Sequence, residues 1–149
     1  MKYPPYNPLY RRIVFSGKAL SAHFAAALTA AGASLPTFTV LTQARAVPGL
    51  SQTELAERVG IEGPTLVRHL DRLCRDGLVV RQRDTVDRRV TRIELTEAGQ
   101  ARHEELATIA HGLDRQLRAA LGDEDCALLD RILTRITSHL EDAHDLTHQ

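Results

Sequence analysis

Four side chains in the middle of the chain recur at helical spacing: Thr65, Arg68, His69 and Arg72. Steps of three and four residues place them on one stripe of a helix. Guanidinium groups there can make forked hydrogen bonds to guanine edges and to phosphate oxygens. Arg68 is the expected guanine contact, Thr65 suits phosphate or a thymine methyl, and Arg72 reaches only phosphate. Farther on, Arg83, Arg88 and Arg89 crowd one short loop, with Asp84 and Asp87 among them. Arginine at a loop tip suits a narrow, strongly negative minor groove. Asp87 reads as an orienting ion-pair partner in that cluster. Ser51, Gln52, Gly63 and Pro64 complete the expected nucleic-acid contacts, through side chains and through the amides near Pro64.

The elements that must hold these residues are legible from periodicity and caps. Residues 1–8 read as an extended, proline-rich arm. From Leu9 the apolar residues Ile13, Leu20, Phe24, Ala27, Leu28 and Ala31 recur at helical spacing until Gly32. A second helix starts near Pro36 and ends at Pro48-Gly49. Ser51-Gln52-Thr53-Glu54 is a capping box that opens a helix over Gln52–Val59, stopped by Gly60. Pro64 suits the first turn of the next helix, which runs to about Asp76 with Leu66, Leu70 and Leu73 inward, helped by Val67 and Cys74. Gly77 ends it. Leu78–Arg83 and Val90–Leu95 read as two strands of a hairpin. Thr96 caps a long helix over about 97–120, Gly122-Asp123 breaks it, and a last helix carries Leu129, Ile132, Leu133, Ile136 and Leu140.

Two short helices joined by a tight turn at Gly60, followed by a hairpin, predict a winged helix-turn-helix. The fold class is mainly α with a small β-hairpin, with long N- and C-terminal helices for dimerisation. Residues 1–33 and 121–149 are the expected dimerisation helices, 34–100 the winged lobe and 97–120 a connecting helix. A solvated face of an ordinary amphipathic helix would show the same Thr65–Arg72 stripe. A hairpin with only a folding role would have little use for Arg88 and Arg89.

Bulk properties set bounds on this reading. With 149 residues and 43% hydrophobic composition the chain can bury a core, and with no tryptophan that core must be aliphatic. Net charge is zero, but its distribution is uneven. Residues 1–53 carry five Lys/Arg and no acid, residues 68–92 eight Arg against four Asp, and residues 120–149 two Arg against seven acids. A neutral chain can therefore present a basic face. Two cysteines make no disulfide framework. No uninterrupted 18-residue apolar run or signal-peptide pattern is seen, so no membrane partner and a cytoplasmic location are expected.

Several motifs carry a resemblance. Gly60–Leu73, Asp76-Gly77-Leu78-Val79, Asp87-Arg88-Arg89 and Leu95-Thr96-Glu97-Ala98-Gly99 resemble the MarR family of bacterial regulators, and Gly60–Leu73 looks closest to its SlyA-like branch. The resemblance covers about residues 50–100; Cys74 departs from the family's usual charged or β-branched residue. It implies a homodimer with interleaved terminal helices and two winged lobes on a pseudo-palindromic double-stranded operator. It also implies a regulator, usually a repressor, released by a small aromatic or phenolic anion. A helix-turn-helix lobe binds DNA weakly alone, which independently favours a two-fold pair. Arg11, Phe15, Lys18, His23, Phe24, Phe38 and Arg45 could line a site for such an anion, or serve as core and solvated residues.

Other chemistries have weaker support. A redox-sensing regulator would use Cys74, on the apolar side of its helix, or Cys126, in a helix's first turn. Zinc could draw on His139, His144 and His148, but no recognised ligand spacing appears, so no metal and no cofactor are expected. No phosphate-binding loop, dinucleotide fingerprint or nucleophile elbow occurs, so an enzyme is not expected. A winged helix that binds only protein is the remaining alternative, which substitutions at Arg68 and Arg89 would discriminate.

Overall fold

The computed structural model describes residues 8–147, with side chains described to residue 140. The proline-rich arm at residues 1–7 and His148 lie outside that range, as does the side chain of His144. Six helices and three short strands follow in order: α1 (Leu9–Ala30), α2 (Leu35–Ala46), β1 (Leu50–Ser51), α3 (Gln52–Val59), α4 (Gly63–Arg75), β2 (Val79–Arg83), β3 (Thr91–Leu95), α5 (Glu97–Leu121) and α6 (Asp123–Thr147).

Local chemistry explains the boundaries. The Ser34 hydroxyl accepts from the Thr37 amide and Pro36 sits in the first turn, so α2 starts where a donor would otherwise be wasted. The capping box of α3 is complete: Ser51 Oγ accepts from the Glu54 amide at 3.2 Å, and a Glu54 carboxylate oxygen accepts from the Ser51 amide at 2.8 Å. That hydroxyl and amide hold the Glu54 carboxyl below its usual range. Gly60 closes α3 at φ 70°, in the left-handed region that only glycine enters freely.

The chain divides into two compact units, Met1–Ala110 and His111–Gln149. In the first, one aliphatic core draws on α1 to α5 and all three strands. Leu28, Val40, Leu41, Leu55, Leu66, Leu70, Val79, Ile93 and Leu106 are its fully buried members. Leu66, Leu70 and Leu73 form the inward face of α4, as their spacing predicts. Ala56 is buried on α3, where a small side chain is expected. The sheet has strand order β1-β3-β2 and is antiparallel. In it Val79 faces Leu95 and Arg81 faces Ile93, while Leu50 of β1 meets Ile93 from the other side. Strand β1, two residues long, lies outside the sequence expectation of a two-stranded hairpin; too short for any alternation, it pairs because β3 offers it an edge.

The second unit holds the C-terminal part of α5 and all of α6, separated by Gly122 at φ 81°. None of the described side chains of α6 is buried, and Leu128, Leu129, Ile132, Leu133 and Leu140 stand exposed. In the first unit, α1 buries only Leu28 and exposes Leu9, Tyr10, Ile13, Val14, Phe15 and Leu20. By length and composition α1 is apolar enough to cross a membrane, with a mean hydropathy of 1.3 in its best window. The helix holds no uninterrupted 18-residue apolar run, because Ser16, Lys18, Ser21 and His23 interrupt it without lowering the mean far.

Candidate nucleic-acid interface

The candidate reading helix is α4, and its stance is fixed from two sides. Its apolar face is locked into the core by Leu66, Leu70 and Leu73. From the sheet, Arg81 of β2 donates to Asp71 at 2.5 Å and to the Val67 carbonyl at 3.3 Å. A hydrophobic stripe alone would leave the helix free to roll, and this pair opposes that roll. Opposite the core, Thr65, Arg68 and Arg72 are exposed and His69 is half-buried. Arg72 has only a loose pairing with Asp76, at 3.9 Å, in which its side chain is 70% exposed. Among the described residues Arg68 carries no ion-pair partner.

The expected amide cradle near Pro64 needs correction. Proline has no N–H to offer, and the Thr65 and Leu66 amides both donate to the Glu62 carbonyl at 3.0 Å. The helix consumes these donors itself, so the contacts left at this end are the Thr65 hydroxyl and the Gly63 backbone. Gly63 and Gln52 line a hollow of about 370 Å³ between the starts of α3 and α4. The Ser51 hydroxyl is engaged in the α3 cap.

The wing tip is a tightly bonded turn. The Asp84 amide donates to the Val90 carbonyl at 3.0 Å, and the Val90 amide to the Asp87 carbonyl at 2.9 Å. One Asp84 carboxylate oxygen accepts from the amides of Val86 (2.8 Å) and Asp87 (2.9 Å), an Asx-type turn. Its other oxygen pairs with Arg92 Nε, and Arg92 also donates to the Gly49 carbonyl at 2.8 Å. The Asp87 amide, the Arg92 guanidinium and the Val86 amide, in that order, hold the Asp84 carboxyl at about 2, so it stays ionised. The role of ion-pair orienter expected of Asp87 therefore belongs to Asp84. Asp87 sits inside the turn and its carboxylate accepts from the Arg89 amide at 3.0 Å instead. Arg83, Arg88 and Arg89 are exposed and, among the described residues, free of ion pairs. The wing thus spends its carboxylates on its own backbone and presents its arginines outward. Arg92 and Asp84 were missed as partners because their separation of eight residues across a hairpin follows no helical or alternating pattern.

Of the seven residues expected around an anionic ligand, Phe24, Phe38 and Arg45 come together within the chain, all three near His103. Phe24 and Phe38 meet edge to face at 5.4 Å, half-buried against the core, and Phe38 stacks on His103 at 5.9 Å. His103 was not anticipated. Its Nε2 meets the Thr42 hydroxyl at 3.2 Å, its Nδ1 is buried without a partner, and burial, then Arg45, pushes its pKa down. Arg45 is tied to Glu104 at 3.0 Å. Arg11, Phe15, Lys18 and His23 stand exposed along α1. None of the seven lines the cleft of about 470 Å³ framed by the α1–α2 turn, the end of α4 and the start of α5. That cleft presents Thr29, Ser34, Thr37, Arg72, Asp76 and Arg102. Cys74 and Cys126 are free, half-buried thiols. Among the described residues no three His, Cys, Asp or Glu side chains group to hold a metal, and His139 is exposed.

This architecture has known relatives. Residues 33–91 match the model of the MarR family. The transcriptional repressor CouR bound to a 23-mer DNA duplex superposes with a TM-score of 0.80 at 29% identity, covering 87% of this chain and 92% of that one. A mutant of E. coli MarR complexed with operator DNA gives 0.77 at 25% identity, covering 87% and 93%. At 19% identity, and so for the fold alone, Bordetella bronchiseptica BpsR gives 0.78 over 92% and 98%; its structure concerns regulation of DNA binding by 6-hydroxynicotinic acid.

Proposed function

We propose, from the match of residues 33–91 to the MarR family model and from the winged helix-turn-helix fold, that the chain is a sequence-specific DNA-binding transcriptional regulator, a repressor acting as a homodimer. The observation that carries this is the wing. Its two carboxylates are satisfied internally, while Arg83, Arg88 and Arg89 are presented unpaired beside a reading helix with Arg68 outward. That division of labour serves a polyanion. α4 enters the major groove with Thr65, Arg68, His69 and Arg72, and the wing follows the adjacent minor groove. Gly60–Leu73 supports a place on the SlyA-like branch.

Dimerisation is supported by what the single chain leaves uncovered. The apolar faces of α1 and α6 are larger than scattered surface hydrophobics explain, and a second copy would bury both. Residues 1–33 and 121–149 form the dimer, 34–100 the DNA lobe and 97–120 the connection between them. The protein works in the cytoplasm, where its operator is.

An effector that releases DNA fits the 470 Å³ cleft better than the α1 cations, because Arg72 belongs to both the cleft and the reading helix. A small aromatic anion held by Arg102 and Arg72 would compete with a phosphate for Arg72. CouR, a repressor bound to a DNA duplex, supports the DNA-binding part of this reading. Binding of the full-length protein to the DNA upstream of its own gene tests the reading. Tight binding that weakens steeply with salt, and weakens further with salicylate-like anions, is the expected result. Salt-independent or absent binding would refute the DNA reading; binding untouched by such anions would refute the effector class.

A further inference from the structure

We propose that Val86 is a specificity-determining residue of the wing, an apolar contact that fits narrow, A·T-rich minor groove. The inference rests on the DNA-binding reading above. Val86 is 95% exposed, the most exposed large hydrophobic side chain among the described residues. It is the one apolar residue between Asp84 and Arg89. A β-branched side chain left almost wholly exposed at a hairpin tip gains little for folding, and glycine or asparagine would suit the turn better.

The tip does not leave Val86 loose. Its amide donates to Asp84, whose carboxylate is pinned by Arg92, itself bonded to the Gly49 carbonyl between α2 and β1. The projection of the Val86 methyls is thereby tied to the body of the lobe. Charge decides what they meet. The exposed guanidinium groups of Arg83, Arg88 and Arg89 flank the tip in sequence; Asp84 is paired with Arg92, and Asp87, bonded to the Arg89 amide, is outnumbered by them. Such a surround repels cationic partners and draws the tip toward phosphate walls. Between those walls lie deoxyribose C–H groups and the groove floor, the apolar surface available to two methyls. The exocyclic amino group of guanine occupies that floor and adenine lacks it. Apolar side chains do enter minor grooves in other complexes, as wedges between base steps. Val86 therefore discriminates by fit, and the arginines supply the attraction.

The test uses full-length protein and an operator selected by it from a random DNA pool. The steps under the wing are then made A·T, G·C, or inosine·C, which removes the guanine amino group. The native protein should prefer A·T and inosine·C over G·C. Val86→Ser should bind the A·T operator roughly fivefold more weakly, the loss expected for part of one valine's burial. It should lose most of the preference while keeping the same salt slope, because no phosphate contact is removed. Arg89→Ala should reduce the slope. An unchanged affinity and preference in Val86→Ser, with native binding intact, would overturn the proposal alone. If the native protein selects no operator, the DNA reading itself fails. Because Val86 is almost wholly exposed, the variant should melt with the native protein, and equal melting temperatures establish that any binding loss is local.

Discussion

At the scale of single residues, two arginines should fail in different ways. Arg68→Ala should cost about 1–3 kcal/mol of operator binding and relax preference at one base position. Arg89→Ala should weaken binding to all sequences alike and lower the salt slope by about 1. Affinity measured over an operator mutant panel at several salt concentrations separates them; an equal loss on every sequence for Arg68→Ala would demote it to a phosphate contact. Titrating residues make a second forecast. The Asp84 carboxyl sits at about 2 against an ordinary 3.8, so the stability it contributes is present above 3.8 and is lost as pH falls through 2. His103 also has a lowered pKa, but as a base: the folded chain holds fewer protons than the unfolded one just below 6.5. Stability from neutral His103 is therefore present above 6.5 and falls as the solution is acidified, with Arg45 opposing and Glu104 favouring the imidazolium. Melting temperature should fall as the pH drops below 6.5, and His103→Phe, which keeps the ring against Phe38, should flatten that fall.

At the scale of elements, the joint between α4, β2 and α5 is the least tolerant. Thr96 donates its hydroxyl proton to the Gly77 carbonyl at 2.6 Å and accepts from the Gly99 amide at 3.0 Å, bridging the end of the reading helix to the start of α5. A Cβ on Gly99 would lie 1.9 Å from the Leu78 carbonyl oxygen, which is backbone and cannot turn away. Gly99→Ala should cost about 3 kcal/mol or more by forcing these backbones apart, measurable by urea denaturation; a loss under about 1 kcal/mol would mean that the joint yields. This level is also where the sequence was most readable. Capping boxes, left-handed glycines and three- and four-residue apolar spacing are local signals, and α1, α3, α4 and α5 all begin and end close to where those signals stand. What stayed hidden was set by contacts between distant residues. β1 exists only because β3 accepts it, Asp84 finds Arg92 across a turn, and His103 reaches Phe38 from 65 positions away. The cations expected at a ligand site on α1, Arg11 and Lys18, stand exposed in the single chain, because acid-free composition places charge, not cavities.

At the scale of the whole molecule, the proposed DNA-binding unit is two copies. α6 exposes Leu128, Leu129, Ile132 and Leu133, and α1 exposes Ile13, Val14 and Leu20. A paired Leu129→Asp and Ile132→Asp variant should sediment as a monomer and lose most operator affinity, because each lobe alone makes half the contacts. A variant that stays dimeric would place the interface elsewhere. The central claim is that reading helix and wing together grip DNA. Its most direct test is the salt dependence of operator affinity for the native protein beside the double variant Arg88→Ala, Arg89→Ala. Log affinity should fall steeply and linearly with log salt for the native protein, with a shallower slope and weaker binding for the variant, both chains melting alike. Identical slopes and affinities would contradict it.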